Sequence, residues 1–326
     1  MLTRRTIGAG LATAIALTRI RDAKADMTET GMSLALFRDA TATLLSVAEQ
    51  LHAADPTRPA VPPVYFVKNA DEAHTLALNG PNPIVGMSLD DVLACSQMAQ
   101  PSARQMAIIW GVHRGFLQLI ARPGITGIAD LKGKRVAVDT DTGYASALYE
   151  ILRRNGIDRR HDLEIVYAGA TDLRYAKLLK GEFDASLLGA PFTRLATRQN
   201  FVSLGSVIGM LGGYQAVVLV AQRSWLAAHA GEARALTEFI ARTLEWTRQP
   251  ENQVALIAMV RKSLPQLDEN AAAQITADLF GRASEFLPDG RMHAKDIAIV
   301  VDLYNQSRTA SLSPETVRQL TTAEFL

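Results

Sequence analysis

Short blocks of apolar and polar positions alternate along this chain, and two of the blocks recur. Positions 33–37 form a brief apolar run, Arg38-Asp39-Ala40-Thr41 a polar turn, and 44–51 a helical pattern. Later, 135–139 is a run of the same kind and Thr140-Asp141-Thr142-Gly143 the turn. The helical pattern at 144–154 then places Tyr144, Leu148, Ile151 and Leu152 on one face. A second pair matches: a helix ending at Gly80 precedes the strand 83–86 and the loop Met87-Ser88. Another ending at Gly181 precedes the strand 184–188 and the loop Gly189-Ala190-Pro191. Both glycines stand where a left-handed C-cap is expected.

The spacing ties these pairs together. From 33 to 135 is 102 residues and from 80 to 181 is 101. The pattern predicts two α/β lobes of one design, each a mostly parallel sheet with helices on its faces. In such sheets ligands sit beyond the carboxyl ends of the strands, and the four polar turns are those ends. A further strand is expected at 216–220, followed by helices at 230–248, 253–262, 270–280 and 295–306. Ser263-Leu264-Pro265 and Leu287-Pro288-Asp289-Gly290 break that region.

Charge narrows the function. Thirty-four Lys and Arg face 33 Asp and Glu, so no net field draws the chain to nucleic acid or an anionic membrane. No run reaches the ~18 apolar residues that span a bilayer. At the N-terminus, Arg4-Arg5 precedes an apolar run at 7–17, and Ala23-Lys24-Ala25 offers a cleavage site. Residues 1–25 are therefore read as a signal peptide, of twin-arginine type because Arg19, Arg21 and Lys24 follow the apolar run. The competing reading is an amphipathic first helix. Cys95, the one cysteine, excludes an intramolecular disulfide and reads as a buried, inert thiol.

The stretch from 33 to 304 resembles the type 2 periplasmic solute-binding proteins of the nitrate, sulfonate and taurine group. The resemblance rests on Asp130-Leu131-Lys132-Gly133-Lys134-Arg135-Val136-Ala137-Val138-Asp139 with Thr142-Gly143-Tyr144. Lys180-Gly181-Glu182-Phe183-Asp184-Ala185 and Gly213-Tyr214-Gln215 through Ser224-Trp225 extend it. It implies a two-lobed fold whose chain crosses between lobes near Arg122 and near Gln215. Lobe 1 is then 26–121 plus 216–326, and lobe 2 is 122–215. It also implies hinge closure around a small-molecule ligand, an ABC permease and ATPase as partners, a periplasmic location and a monomer. Phe37-Arg38-Asp39-Ala40 stands where the group has a glycine-bearing loop, which puts a charged pair at the cleft edge.

The strand ends supply the candidate ligand-binding residues. Thr140, Thr142, Gly143 and Tyr144 open a helix after a strand, where free N–H groups suit an anion, while Asp141 caps or repels. Arg38 and Asp39 either bind an amphoteric ligand or pair with each other. Phe37, Met87 and Ser88 flank the first lobe's ends. Trp110 is a stacking surface or core, and His113 a hydrogen-bonding group. Ala190, Pro191 and Phe192 form an apolar wall, and the Tyr214 hydroxyl reaches in from the return crossing. Asp90-Asp91 either starts a capped helix or chelates a cation. The six histidines are dispersed and no nucleophile elbow or phosphate loop occurs, so no catalytic group, metal site or cofactor is expected. The reading is a solute-binding protein for a small, anionic or amphoteric ligand. The alternative is an enzyme of thiamine-pyrimidine-synthase type on the same scaffold.

Overall fold

The computed structural model describes residues 32–81, 83–308 and 311–325; the signal peptide read at 1–25 lies outside them. The chain opens with β1 (Leu34–Leu36), α1 (Ala40–Ala54), β2 (Val64–Phe66), α2 (Ala70–Asn79), β3 (Ile84–Ser88), α3 (Leu89–Ser96) and β4 (Met106–His113). Next come β5 (Gln118–Ala121), β6 (Arg135–Val138), α4 (Ala145–Arg154), β7 (Glu164–Tyr167) and α5 (Thr171–Leu179). After these follow β8 (Ala185–Leu188), α6 (Phe192–Thr197), β9 (Val202–Ser206) and α7 (Val207–Leu211). The chain closes with β10 (Val217–Gln222), α8 (Arg223–Arg248), α9 (Gln253–Ser263), α10 (Glu269–Phe280), α11 (Ala294–Arg308) and α12 (Pro314–Leu320).

The predicted helices appear close to their expected bounds. The one expected at 230–248 begins seven residues early, at Arg223, and is interrupted at His229, whose φ and ψ are −129° and 30°.

The strands form two five-stranded sheets, ordered β2-β1-β3-β10-β4 and β7-β6-β8-β5-β9. β1, β3 and β4 are buried along their whole length, because helices cover both faces and leave no side for alternating polar residues. In each sheet the strand that arrives from the other lobe, β10 or β5, runs antiparallel to its two neighbours. The paired offsets recur in the register. Leu34 faces Ile84 in the first sheet and Val136 faces Ala185 in the second, the same pairing displaced by 102 and 101 residues.

Two expectations need correction. The first crossing lies at 114–117 rather than near Arg122, because β5 pairs with β8 and β9 in the second sheet. A strand's lobe is decided by its ladder partners, which are distant in sequence. Gly181 is left-handed, with φ of +75°, but Gly80 is extended, with φ of −80°. There glycine answers a close approach: a Cβ on Gly80 would lie 2.5 Å from Leu76 Cα.

Helix caps set up the site. Asp39 Oδ1 accepts from the Thr41 amide at 2.8 Å and starts α1. Ser88 Oγ accepts from the Asp91 amide at 3.1 Å and starts α3. Each cap satisfies an N–H that the helix leaves free, and each also fixes a polar side chain at a strand's carboxyl end.

Candidate functional site between the lobes

The carboxyl ends of β1, β3, β6 and β8 converge on one cavity. Its lining joins Phe37, Asp39, Ser88 and Asp91 of the first lobe to Asp139, Gly143, Tyr144, Thr171, Arg174 and Gly189 of the second, with Gly115 and Leu117 from the crossing. The centre of a water-sized sphere can move over about 30 Å³ there, against the ~10–15 Å³ that one water needs. Outside it a broad groove of about 600 Å³ opens past Asn69, Asp71, Thr140 and Thr142. Asp139 lines both.

Contacts between lobes close the cavity. The Ala170 amide donates to the Lys68 carbonyl at 2.8 Å, and Arg38 pairs with Asp172 at 3.8 Å while stacking on Phe66 at 3.9 Å. Asp141 accepts at its carbonyl from Arg308 at 2.7 Å. Arg194 grips Asp278 through two bonds of 2.9 Å. The Thr142 hydroxyl bonds to Asp91, and Gly143 approaches so closely that a Cβ would lie 3.4 Å from Asp91 Oδ2.

The charges follow from burial. Arg174 is 3% exposed; its Nε and Nη2 donate to the Leu187 carbonyl at 3.3 and 3.2 Å and its Nη1 to that of Gly169 at 2.5 Å. It is surrounded by Asp139, Tyr144 and Asp172. Burial pushes the Asp139 carboxyl up to about 7, against the pull of Arg174 and with a further push from Asp91. Its Oδ1 has no hydrogen-bond partner. Burial works against a charge on Asp91 as well, but His74 at 3.0 Å, then Ser88 and Thr142, hold its carboxyl below the usual range. Asp39 meets His113 Nε2 at 3.3 Å. Burial, then Asp91, push Asp90 up to about 7; the Tyr214 hydroxyl donates to its Oδ1 at 3.1 Å, and its Oδ2 is unpartnered.

The Asp90 value carries a testable sign. Its folded pKa lies above the ordinary 3.8, so its contribution to stability is greatest at low pH and is lost as pH rises from about 4 through 7. Asp90→Asn keeps the acceptor for Tyr214 and removes the titration. The variant should gain stability relative to the parent as pH rises, by roughly 1.4 kcal/mol for each pH unit between the two values. Melting temperatures of both proteins at pH 4.5 and 8 test this; a difference that does not change with pH contradicts it.

Of the residues expected at the site, Phe37, Asp39, Ser88, Gly143 and Tyr144 line the cavity. Arg38 lies outside the lining because it is held in the interlobe pair. Thr140 and Thr142 face the outer groove, their hydroxyls 2.8 Å apart. Met87 and Trp110 are core, Trp110 packed against Gly290. His113 is 1% exposed and supports Asp39 from behind while packing on Phe116 and Phe286. Ala190 and Pro191 are buried, and Phe192 packs on Tyr175 at 5.4 Å instead of forming a wall. Tyr214 is wholly buried on Asp90, its ring 6.2 Å from that of Tyr144. Asp91, read as a helix start, lines the cavity. Arg174 and Thr171 were not singled out; they sit one turn apart on α5, after a strand whose sequence carries no polar turn motif. Cys95 is buried, and burial pushes its thiol up to about 12.

Comparison with known proteins agrees with this architecture. A family model described as ABC transporter, phosphonate, periplasmic substrate-binding protein matches residues 99–226. No curated protein matches the chain. Among solved structures, the nitrate-binding protein NrtA of Synechocystis PCC 6803 is similar at a TM-score of 0.69 and 12% identity, covering 90% of this chain and 86% of that one. The alkanesulfonate-binding protein SsuA of Xanthomonas axonopodis pv. citri, bound to MOPS, reaches 0.67 and 16%, covering 89% and 97%. The aliphatic sulphonate binding protein SsuA of Escherichia coli reaches 0.60 and 18%, covering 88% and 90%. With two sheets of matching order meeting at a shared cavity, this chain has the two-lobed α/β fold of those nitrate- and sulfonate-binding proteins.

Proposed function

We propose that this protein captures a small solute between its lobes and delivers it to the permease and ATPase of an ABC importer. It acts in the periplasm as a monomer after twin-arginine export. The observation that carries the reading is the cavity whose walls come from both sheets and whose closure depends on contacts across the gap. Such contacts form only when the lobes meet, so a solute that bridges them favours the closed form. The cavity is smaller than a solute of several heavy atoms, so the lobes part to admit one. The similar structures include proteins named for binding nitrate and sulfonates.

The enzyme alternative finds little support in the cavity. Its described lining holds no thiol, and the two nearby imidazoles are bound to Asp39 and Asp91. Screening the purified protein against small solutes by thermal shift tests the proposal. A bound solute should raise stability by about 2.7 kcal/mol at a hundred times its Kd and be recovered unchanged, with a smaller radius of gyration in solution scattering. Turnover of the compound would favour the enzyme.

A further inference from the structure

The cavity's charges are unlike those expected of an oxyanion site. Asp39, Asp91 and Asp139 line it, with Asp90 and Asp172 nearby, against two guanidinium groups, Arg174 and Arg38, and two imidazoles, His74 and His113. Arg38 is turned away into its pair with Asp172. Arg174 donates from Nε, Nη1 and Nη2 to main-chain carbonyls and lies against Asp139 and Asp172. Its positive charge is thus matched before any solute arrives. Among the carboxylates, Asp91 is met by His74 and Asp39 by His113, while Asp139 keeps an oxygen without a partner. Asp139 Oδ1 has neither solvent nor a hydrogen-bond partner although its residue lines the cavity. Asp90, 2% exposed, carries a second such oxygen, Oδ2, next to Asp91. A buried acceptor left in this condition is costly unless a donor reaches it. The remaining walls are Phe37 and Tyr144, whose ring faces attract cations, with Leu117, the hydroxyl-bearing Ser88 and Thr171, and glycines that present only backbone.

We propose that the solute taken by this site is a small organic cation, its charged nitrogen bonded to Asp139 and Asp39 and its carbon skeleton against Phe37 and Tyr144. This rests on the solute-capture reading. It separates the chain from the nitrate- and sulfonate-binding proteins whose fold it shares, because an oxyanion in the same place would meet three carboxylates. Asp39 and Asp139 are then the residues that select the substrate class.

The test uses three sets of probes with the mature protein at pH 7.5. The cations are ethanolamine, putrescine, acetamidine and methylguanidine; the zwitterions are glycine and taurine; the anions are nitrate, methanesulfonate and methylphosphonate. At least one cation should raise the melting temperature and bind in calorimetry, with the anions silent. Asp139→Asn and Asp39→Asn keep shape, and Asn keeps the helix cap at 39. Each should weaken that cation by about 10- to 100-fold, the range for losing a charge-assisted hydrogen bond. An anion held by Arg174 would instead bind more tightly once Asp139 is neutral. Binding of an anion or zwitterion with the cations silent overturns the charge assignment and leaves solute capture standing. Silence from every class overturns both.

Discussion

Arg174→Met should cost about 3–5 kcal/mol of stability, the usual consequence of removing one partner from a buried charged cluster. The guanidinium ties α5 to the end of β8 and to the turn before α5 through the carbonyls of Leu187 and Gly169. Its charge also pulls the Asp139 carboxyl down against burial. Methionine fills similar volume but leaves those carbonyls without a donor and the carboxylate without a counter-charge. The loss should be greater at pH 8 than at pH 5, since Asp139, already pushed up to about 7, takes up a proton at the lower pH and then needs no cation. Urea unfolding at the two pH values measures it. A loss below about 1 kcal/mol at both would mean the carbonyls and Asp139 are satisfied by other groups.

Gly290→Ala should also destabilise strongly, by roughly 2–5 kcal/mol, from two additive causes. Its φ is +69°, where a side chain costs about 1–2 kcal/mol. A Cβ would lie 2.4 Å from Trp110 Cδ2 and Cε3, and overpacking a core costs about 1–3 kcal/mol more. The neighbours have no room to yield, because the Gly290 carbonyl accepts from Gly111 of β4 at 2.8 Å. The indole must tilt or the loop must lift, so tryptophan fluorescence should change together with the lower melting temperature. A variant with parental stability and emission would contradict the packing described for Trp110.

The fate of Trp110 illustrates why the fold was more legible than the site. An aromatic at the end of an apolar run has the same sequence signature whether it faces a ligand or a glycine of a distant loop. Here the loop after α10 settles it. Arg174 was hidden for a related reason. On α5 it reads as a polar residue of an amphipathic helix, and only the assembled lobe buries it against the carbonyls of Gly169 and Leu187 and beside Asp139 and Asp172. His113 was singled out for hydrogen bonding and does bond, but to Asp39 behind the cavity.

The chain's pattern alone determined two equivalent α/β halves, most helices, and the four strand-end turns at 38–41, 87–88, 140–143 and 189–191. These follow from local periodicity and from a spacing of 102 and 101 residues that the sheet register repeats. Tertiary structure alone decided where the chain changes lobes, which polar ends face the cavity, and that carboxylates outnumber cations around it. Each depends on ladder partners or burial contributed by other segments of the chain, as Gln118 pairs with Leu188 and Asp90 with Tyr214. A charge's meaning in a protein is set by what desolvates and pairs it, and that is a property of the assembled walls rather than of any one stretch.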